Sequence, residues 1–135
     1  MTTLDHIGIA VEDLDAAVEL YARVLGLEPV HREVVAAQGV EEVLLSAGNS
    51  FIQLLGALGP NTPVGRFIER RGPGVHHVGY RVTDVARELE RLRAQGVSLV
   101  DEVPRPGSRG TTIAFVHPRE MGGVLVELVQ ETGSA

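Results

Sequence analysis

Two histidines occupy matching positions of an internal repeat in this sequence of 135 residues. The segment Leu4-Asp5-His6-Ile7-Gly8-Ile9-Ala10-Val11-Glu12-Asp13 recurs in pattern as Val75-His76-His77-Val78-Gly79-Tyr80-Arg81-Val82-Thr83-Asp84. In both segments a glycine follows the histidine after one aliphatic residue, and an aspartate closes the segment. One histidine on a strand is usually structural, but two at equivalent positions of duplicated segments indicate a shared chemical site.

Each repeat also carries an oxygen ligand in its last apolar stretch. Gln53 lies within Phe51-Ile52-Gln53-Leu54-Leu55, and Glu127 lies within Val124-Leu125-Val126-Glu127-Leu128-Val129. A carboxylate among aliphatic neighbours must be paired, protonated or bound to a cation, because burying it alone is costly. Two imidazoles, one carboxylate and one amide oxygen suit a divalent first-row ion such as Co²⁺, Zn²⁺, Ni²⁺ or Mn²⁺. We therefore predict a metal site formed by His6, Gln53, His77 and Glu127.

A further carboxylate is available for proton transfer next to this quartet. Glu41 and Glu42 open a short β-pattern, and the two-residue periodicity of a strand gives them opposite faces. Glu42 shares its face with Val40 and Leu44, whereas Glu41 shares its face with Val43 and Leu45. The alternation does not decide which of the two glutamates faces the site.

The elements that must position these residues form two βαβββ modules with eight strands in all, which predicts an α+β protein. We predict strands over 4–11, 28–34, 41–46, 50–55, 75–82, 97–101, 111–116 and 124–129. Asp13 and Asp84 are expected to cap the two main helices, and Gly26 and Gly96 to end them. Thr62-Pro63 is expected to open a short helix that runs through Arg70, and residues 104–110 to form a loop rich in proline and glycine. The predicted organisation is a single domain over 1–135, with module one at about 3–57, a linker at about 58–74 and module two at about 75–130.

Composition excludes several classes of function. The chain has no cysteine, so disulfides and thiolate metal sites are excluded, and this suits a reducing compartment. A net charge of −6 argues against a nucleic-acid or acidic-membrane surface. No apolar run approaches the about 20 residues of a membrane span. Because the first strand pattern begins near residue 4, no signal peptide fits before it, and we expect a soluble, cytoplasmic protein.

The sequence resembles the vicinal oxygen chelate superfamily and, within it, the methylmalonyl-CoA epimerase family. The resemblance runs from Leu4 to about Val129. The segments that carry it are Leu4-Asp5-His6-Ile7-Gly8-Ile9-Ala10-Val11, Gln38-Gly39-Val40-Glu41-Glu42, Arg71-Gly72-Pro73-Gly74-Val75-His76-His77, Phe115-Val116-His117-Pro118 and Gly122-Gly123-Val124-Leu125-Val126-Glu127-Leu128. The resemblance implies paired βαβββ modules in a curved, mixed, eight-stranded sheet that cups a divalent metal ion, with Co²⁺ as the expected ion.

The resemblance also assigns roles to individual residues. It places the metal ligands on His6, Gln53, His77 and Glu127, and the acid/base glutamates on Glu42 and Glu127. The implied reaction is the interconversion of the C2 epimers of methylmalonyl-CoA through a metal-stabilised enolate. The expected partners are an acyl-CoA substrate and a second copy of the chain in a homodimer, and Arg105 and Arg109 are candidates for the CoA phosphates.

Other functions remain compatible with the same fold. A glyoxalase I-type isomerase uses a similar quartet on a glutathione adduct, and an ethylmalonyl-CoA epimerase would differ only in the acyl chain. An extradiol dioxygenase would need a two-histidine, one-carboxylate iron site, and Gln53 as a fourth ligand speaks against it. A metal-free drug-binding module has no need of the quartet.

Overall fold

A computed structural model describes residues 2–131, which form eight strands and three α-helices. The strands are β1 (Thr3–Val11), β2 (Pro29–Val35), β3 (Val40–Ala47), β4 (Ser50–Ala57), β5 (Gly74–Arg81), β6 (Arg105–Pro106), β7 (Thr112–Val116) and β8 (Val126–Gln130). The helices are α1 (Leu14–Leu25), α2 (Pro63–Arg71) and α3 (Val85–Ala94), with short 3₁₀ turns at Ala36–Gln38, Ser108–Gly110 and Pro118–Met121. Within the described part of the chain, none of the helices has the length and apolar character needed to cross a membrane.

The chain divides into two compact units, and the division falls inside β1, between Asp5 and His6. The His6 unit is His6–His76, and the His77 unit comprises residues 2–5 and the described residues from His77 onward. In the His6 unit the strand order is β2-β3-β4-β1, with β1 parallel to β4 and the other pairs antiparallel. In the His77 unit the order is β5-β8-β7-β6, with β5 parallel to β8 and the other pairs antiparallel. The two predicted βαβββ patterns are therefore present, and the grouping of both into one domain stays a prediction.

The helix caps follow from the local sequence. Asp13 has an extended backbone and its side chain accepts a hydrogen bond from the Ala16 amide, while Asp84 accepts one from the Arg87 amide. Each cap satisfies one of the amides that have no partner in the first turn of a helix. Gly26 ends α1 in the left-handed region, with φ 67°, where a residue without Cβ meets no steric cost. The predictions for these caps are confirmed.

In each unit one face of the sheet is covered by the helix that follows the first strand. In the His6 unit, α1 packs through Ala17 against the β3 and β4 residues Val43, Leu45 and Leu54. In the His77 unit, α3 packs through Val85 and Leu89 against the residues Ala114, Val116, Val126 and Leu128. Because side chains alternate along a strand, the residues between these core positions lie on the other face of each unit.

The predicted strand over 97–101 is wrong. Within the described residues, this segment contributes only an isolated bridge between Leu99 and Val116. The backbone amides of Val100 and Asp101 both donate to the Phe115 carbonyl. The Phe115 amide donates to the Asp101 carboxylate at 2.8 Å, so a side chain replaces a backbone hydrogen bond of the sheet. The fourth strand of this unit is instead β6, inside the predicted loop. It is two residues long, and beyond it the Gly107 amide donates to the Thr111 carbonyl across the 3₁₀ turn Ser108–Gly110.

A close contact joins the start of β3 to the start of α2. Gly39 has φ 69°, and a Cβ at this position would lie 2.6 Å from the Thr62 methyl carbon. Thr62 cannot swing away without loss, because its hydroxyl accepts from the Gly65 amide to cap α2 and donates to the Gly59 carbonyl. Glycine is therefore required at position 39 for both its backbone angle and its lack of a side chain.

Candidate functional site

In the His6 unit, the strand register places His6, Gln53 and Glu42 on one face of the sheet. Gln53 of β4 pairs with Gly8 of β1 on one side and with Leu44 of β3 on the other. His6 and Glu42 lie two positions from these partners along their strands, so both point to the same side as Gln53 and are its diagonal neighbours. This side faces away from α1. We call these three residues the His6 cluster.

The His6 cluster is buried, and two of its oxygens are not satisfied by the described residues. Its members are 3% (His6), 1% (Glu42) and 7% (Gln53) exposed. Glu42 Oε2 and Gln53 Oε1 are both buried, and neither finds a hydrogen-bond partner among residues 2–131. A buried polar atom without a partner costs roughly 1–3 kcal/mol, and more if it is charged. Two such oxygens on one face are typical of a site completed by a ligand.

The neighbouring Glu41 has a different role. It accepts a hydrogen bond from Arg32 at 2.9 Å, and Arg32 also donates to Asp15 of α1 at 2.7 Å. These hydrogen bonds, first that of Glu41 and then that of Asp15, raise the pKa of Arg32 above its usual range. Glu41 thus belongs to a surface ion-pair network on the α1 side of β3, whereas Glu42 is enclosed on the other side. The structure supplies the choice that the alternation alone left open.

In the His77 unit, His77 of β5 and Glu127 of β8 form a buried pair. Glu127 pairs in register with Gly79, two residues after His77, so the two side chains share a face. His77 Nε2 and Glu127 Oε1 are 3.5 Å apart, and the side chains are 5% and 7% exposed. Gly79 adds no side chain between them. We call His77 and Glu127 the His77 pair.

Phe115 closes one side of the His77 pair. It lies opposite Glu127 in the β7–β8 register, and its ring meets the His77 ring edge-on with the centroids 5.7 Å apart. The guanidinium of Arg105 lies 5.5 Å from the centroid of the same ring. The sequence analysis missed the role of Phe115. Once β7 and β8 are paired in register, Phe115 is the residue opposite Glu127.

Arg109 is tied to a buried carboxylate. Asp5 is completely buried, and its two oxygens accept from Arg81 at 2.9 and 3.1 Å and from Arg109 at 3.1 Å. Arg81 also pairs with Glu131 at 2.6 Å. The sequence analysis missed this cluster. The signal was the charged Asp5 inside an otherwise apolar strand, where burial requires a cationic partner.

A cavity of about 290 Å³ in the His77 unit lies away from this chemistry. Its walls include Tyr80, Val82 and Leu128, which alternate with Gly79 and Glu127 along β5 and β8. The cavity therefore opens on the α3 side of the sheet, opposite the His77 pair, and is not part of the candidate site.

His6, Gln53, His77 and Glu127 carry donors of the kinds that a divalent cation accepts. They are two imidazoles, an amide oxygen and a carboxylate, and their assembly into one site stays a prediction. The unpartnered Gln53 Oε1 is the observation that favours a cation, because an amide oxygen can only accept a hydrogen bond or bind a positive charge.

Comparisons with known proteins agree with this chemistry. Residues 5–115 match the model of the glyoxalase/bleomycin resistance protein/dioxygenase superfamily. A Bacillus subtilis protein named only as uncharacterized is 41% identical over 98% of this chain and 95% of its own length. The ethylmalonyl-CoA/methylmalonyl-CoA epimerase of Cereibacter sphaeroides is 35% identical over 94% of this chain and 96% of its own. A solved methylmalonyl-CoA epimerase in complex with methylmalonyl-CoA and NH₄⁺ superposes with a TM-score of 0.96 at 40% identity, covering 99% of this chain and 97% of that one.

The superfamily match and the structural likeness give the class, an enzyme of the glyoxalase fold, and confirm the predicted fold class. Within that class, the chain belongs to the methylmalonyl-CoA epimerase family.

Proposed function

We propose that this protein interconverts the two C2 epimers of methylmalonyl-CoA, with Glu42 as a proton carrier. The observation that carries the proposal is the buried Glu42 oxygen, which has no protein partner among residues 2–131 and lies on the same face as Gln53. In a member of an epimerase family, a carboxylate held in this way is available to the substrate. The proposed metal ligands are His6, Gln53, His77 and Glu127.

The reaction sets clear demands on the site. A proton must leave a carbon that lies between a thioester and a carboxylate, and a proton must return to the opposite side of that carbon. A divalent ion, when bound, supplies Lewis-acid stabilisation of the enolate oxygens. Everything else must come from the chain: two groups that move protons, a binding surface for the acyl group, and exclusion of water.

Glu42 and Glu127 are the proposed proton carriers. Glu42 is not one of the proposed ligands, so both of its oxygens can serve proton transfer, and its burial excludes water from the transferred proton. Glu127 is proposed both to bind the cation and to act on the other side of the substrate. Gln53 contributes an uncharged oxygen where the other module has a carboxylate, which leaves the site one unit more positive and so favours an anionic enolate.

Proton exchange at C2 of methylmalonyl-CoA in D₂O, followed by NMR, tests the proposal directly. The protein should catalyse exchange after reconstitution with Co²⁺, which we propose as the ion, and lose it when stripped by chelator. Zn²⁺, Ni²⁺ and Mn²⁺ in separate reconstitutions test the choice of ion. The hemithioacetal of methylglyoxal and glutathione serves as the control substrate. Turnover of the hemithioacetal without exchange at C2 would show a glyoxalase and overturn the proposal.

Ethylmalonyl-CoA is a second candidate substrate, because one relative carries both activities in its name. The two substrates differ by one methylene, which a hydrophobic pocket distinguishes by only about 1–3 kcal/mol. We expect exchange with both esters and a kcat/KM higher for methylmalonyl-CoA. Parallel progress curves with the two esters at equal concentration give the ratio.

The proposed partners are an acyl-CoA and a second copy of this chain. The dimer is proposed from the superfamily resemblance and is tested by sedimentation equilibrium of the metal-loaded protein. A cytoplasmic location is proposed from the composition, and fractionation of cells that express the tagged protein tests it.

A further inference from the structure

Arg105 lies on the face of the His77 unit that carries Glu127. Arg105 pairs with Ile113 across β6 and β7, and Phe115, two residues further along β7, pairs with Glu127. Residues that face each other across antiparallel strands share a side, as do residues two apart on one strand. The position of the guanidinium over the Phe115 ring agrees with this register, so a cation stands one aromatic ring away from His77.

Asp101 and Phe115 hold the guanidinium in this place. Asp101 Oδ1 is 3.3 Å from Arg105 Nε, an ion pair whose geometry falls short of a hydrogen bond. The other Asp101 oxygen is fixed by the Phe115 amide at 2.8 Å, so the carboxylate is anchored to β7. The ring below contributes a cation–π contact at 5.5 Å. Both contacts orient the cation and neither uses its two terminal nitrogens.

The terminal nitrogens of Arg105 are unused donors. Among residues 2–131, they donate no hydrogen bond, the ion pair with Asp101 is closest at Nε, and the side chain is 36% exposed. Arg81 and Arg109, which are more buried, are both engaged by Asp5. Of these three arginines, only Arg105 can offer a planar pair of N–H groups to an incoming anion without breaking a contact.

We infer that Arg105 is a specificity-determining residue that binds the free carboxylate of a malonyl-type acyl group, and that Asp101 is its positioning residue. The inference rests on the proposed function and deepens it. The thioester and the free carboxylate of such a substrate are bonded to the same carbon, so a residue beside His77 meets the acyl group. The phosphates of CoA lie at the far end of the pantetheine arm. Arg105 thus selects acyl groups that carry a free carboxylate over neutral ones.

The test compares methylmalonyl-CoA with the methylmalonyl thioester of N-acetylcysteamine. The second compound keeps the thioester carbonyl and the free carboxylate and lacks the phosphates of CoA. In metal-loaded protein, Arg105→Ala should raise KM about tenfold or more for both substrates, because a hydrogen bond to a charged group is lost. Because the contact is uniform binding, kcat should change little. Arg105→Lys should restore part of the loss, since it keeps the charge but not the fork.

Asp101→Asn separates positioning from binding. The amide oxygen can still accept from the Phe115 amide, but the ion pair with Arg105 is lost. We expect KM to rise about two- to fivefold, as for loss of a partly exposed pair. Arg91→Ala is the matched control, because Arg91 is an exposed arginine of α3 paired with Glu88, and it should leave KM unchanged.

Equilibrium titration of the metal-loaded protein with the unreactive malonyl amide of N-acetylethylenediamine, in which NH replaces the thioester sulfur, gives a readout independent of turnover. Arg105→Ala should weaken binding about tenfold at unchanged metal content. Unchanged KM and unchanged affinity in Arg105→Ala would overturn the inference. A KM effect confined to the CoA ester would overturn it in favour of a phosphate contact. If the wild type binds the amide through Arg105 but exchanges no proton at C2, the proposed function fails and the inference stands.

Discussion

The two units present the same four-strand pattern and fill it differently. In the His6 unit, the last strand carries Gln53, which faces Leu44 of β3. In the His77 unit, the last strand carries Glu127, which faces Phe115 of β7. The first strand of both modules keeps its histidine. The duplicated position on the last strand thus supplies an uncharged oxygen on one side and a carboxylate on the other.

The third strand differs more. Glu42 pairs with Leu55, and the equivalent pair in the other unit is Ile113 with Val129. The residue that faces Ile113 on the outer strand is Arg105. One module therefore supplies an acid and the other supplies a cation at the neighbouring position. The divergence of the repeat thus places an acid on the third strand of one module and a cation beside the third strand of the other.

Loss of Glu42, which has no counterpart in the other module, should have the largest effect on the rate of C2 exchange. Glu42→Gln should lower the rate of C2 exchange by about 10²- to 10⁴-fold, the usual contribution of a general acid or base, and leave close to one metal ion per chain. Glu41→Gln is the matched control, because that glutamate lies on the opposite face and pairs with Arg32. Exchange rates and metal analysis on the same preparations check both. Loss of metal from Glu42→Gln would mean that Glu42 is a ligand.

Removal of either repeated histidine should have similar consequences for metal binding. His6→Ala and His77→Ala should each weaken binding by about a hundredfold or more, since even supporting residues of a metal site contribute 10- to 100-fold. Competition with a coloured chelator measures the affinity. Full metal content in both variants would refute the four-residue site.

Asp5 and its module counterpart His76 should differ in their effect on stability. Asp5→Asn leaves two arginines facing an uncharged group in a buried position and should cost about 2–3 kcal/mol of unfolding free energy, discounted for the partial exposure of Arg81 and Arg109. His76 meets the Phe67 ring edge-on at 5.0 Å, and His76→Asn should cost no more than about 1 kcal/mol. Urea denaturation followed by circular dichroism gives both values. Equal losses would contradict the assignment of Asp5 as the buried anchor.

The smallest effect on stability is expected from the surface ion-pair network of β3. Glu41→Gln removes one ion pair from Arg32, whose side chain is 46% exposed, and should change stability less than Asp5→Asn or His76→Asn. The difference from the wild type should shrink in 1 M NaCl, because salt screens exposed charges. Thermal unfolding at low and high salt tests this, and a salt-independent loss would be the contrary result.

The local signals in the sequence were sufficient for most elements. Asp13 and Gly26 mark the ends of α1 because capping depends on residues close in sequence. The repeat predicted that each histidine shares a sheet face with an oxygen-bearing residue, and the strand registers agree with this. These features depend on spacing along one chain, which the sequence contains in full.

The remaining features depend on contacts between distant segments. The Asp101 side chain accepts a hydrogen bond from a backbone amide of β7, and the segment 97–101 forms only an isolated bridge where a strand was predicted. Arg105 and Arg109 look equivalent in sequence, four residues apart in one loop, and only the position of the fully buried Asp5 distinguishes them. The choice between Glu41 and Glu42 likewise needed the neighbouring strands, because periodicity gives two faces but not their identity.

The contact between Gly39 and Thr62 bears on how this protein can evolve. Gly39 immediately precedes β3, the strand that carries Glu42. Thr62 caps α2, which is distant from β3 in sequence but contacts its start through Gly39. A larger residue at position 39 would have to displace either the cap of α2 or the start of β3. Changes at positions 39 and 62 are therefore linked, so that a viable substitution at one requires a compensating change at the other. The strand that carries Glu42 is therefore constrained in evolution by a helix cap that takes no part in the reaction.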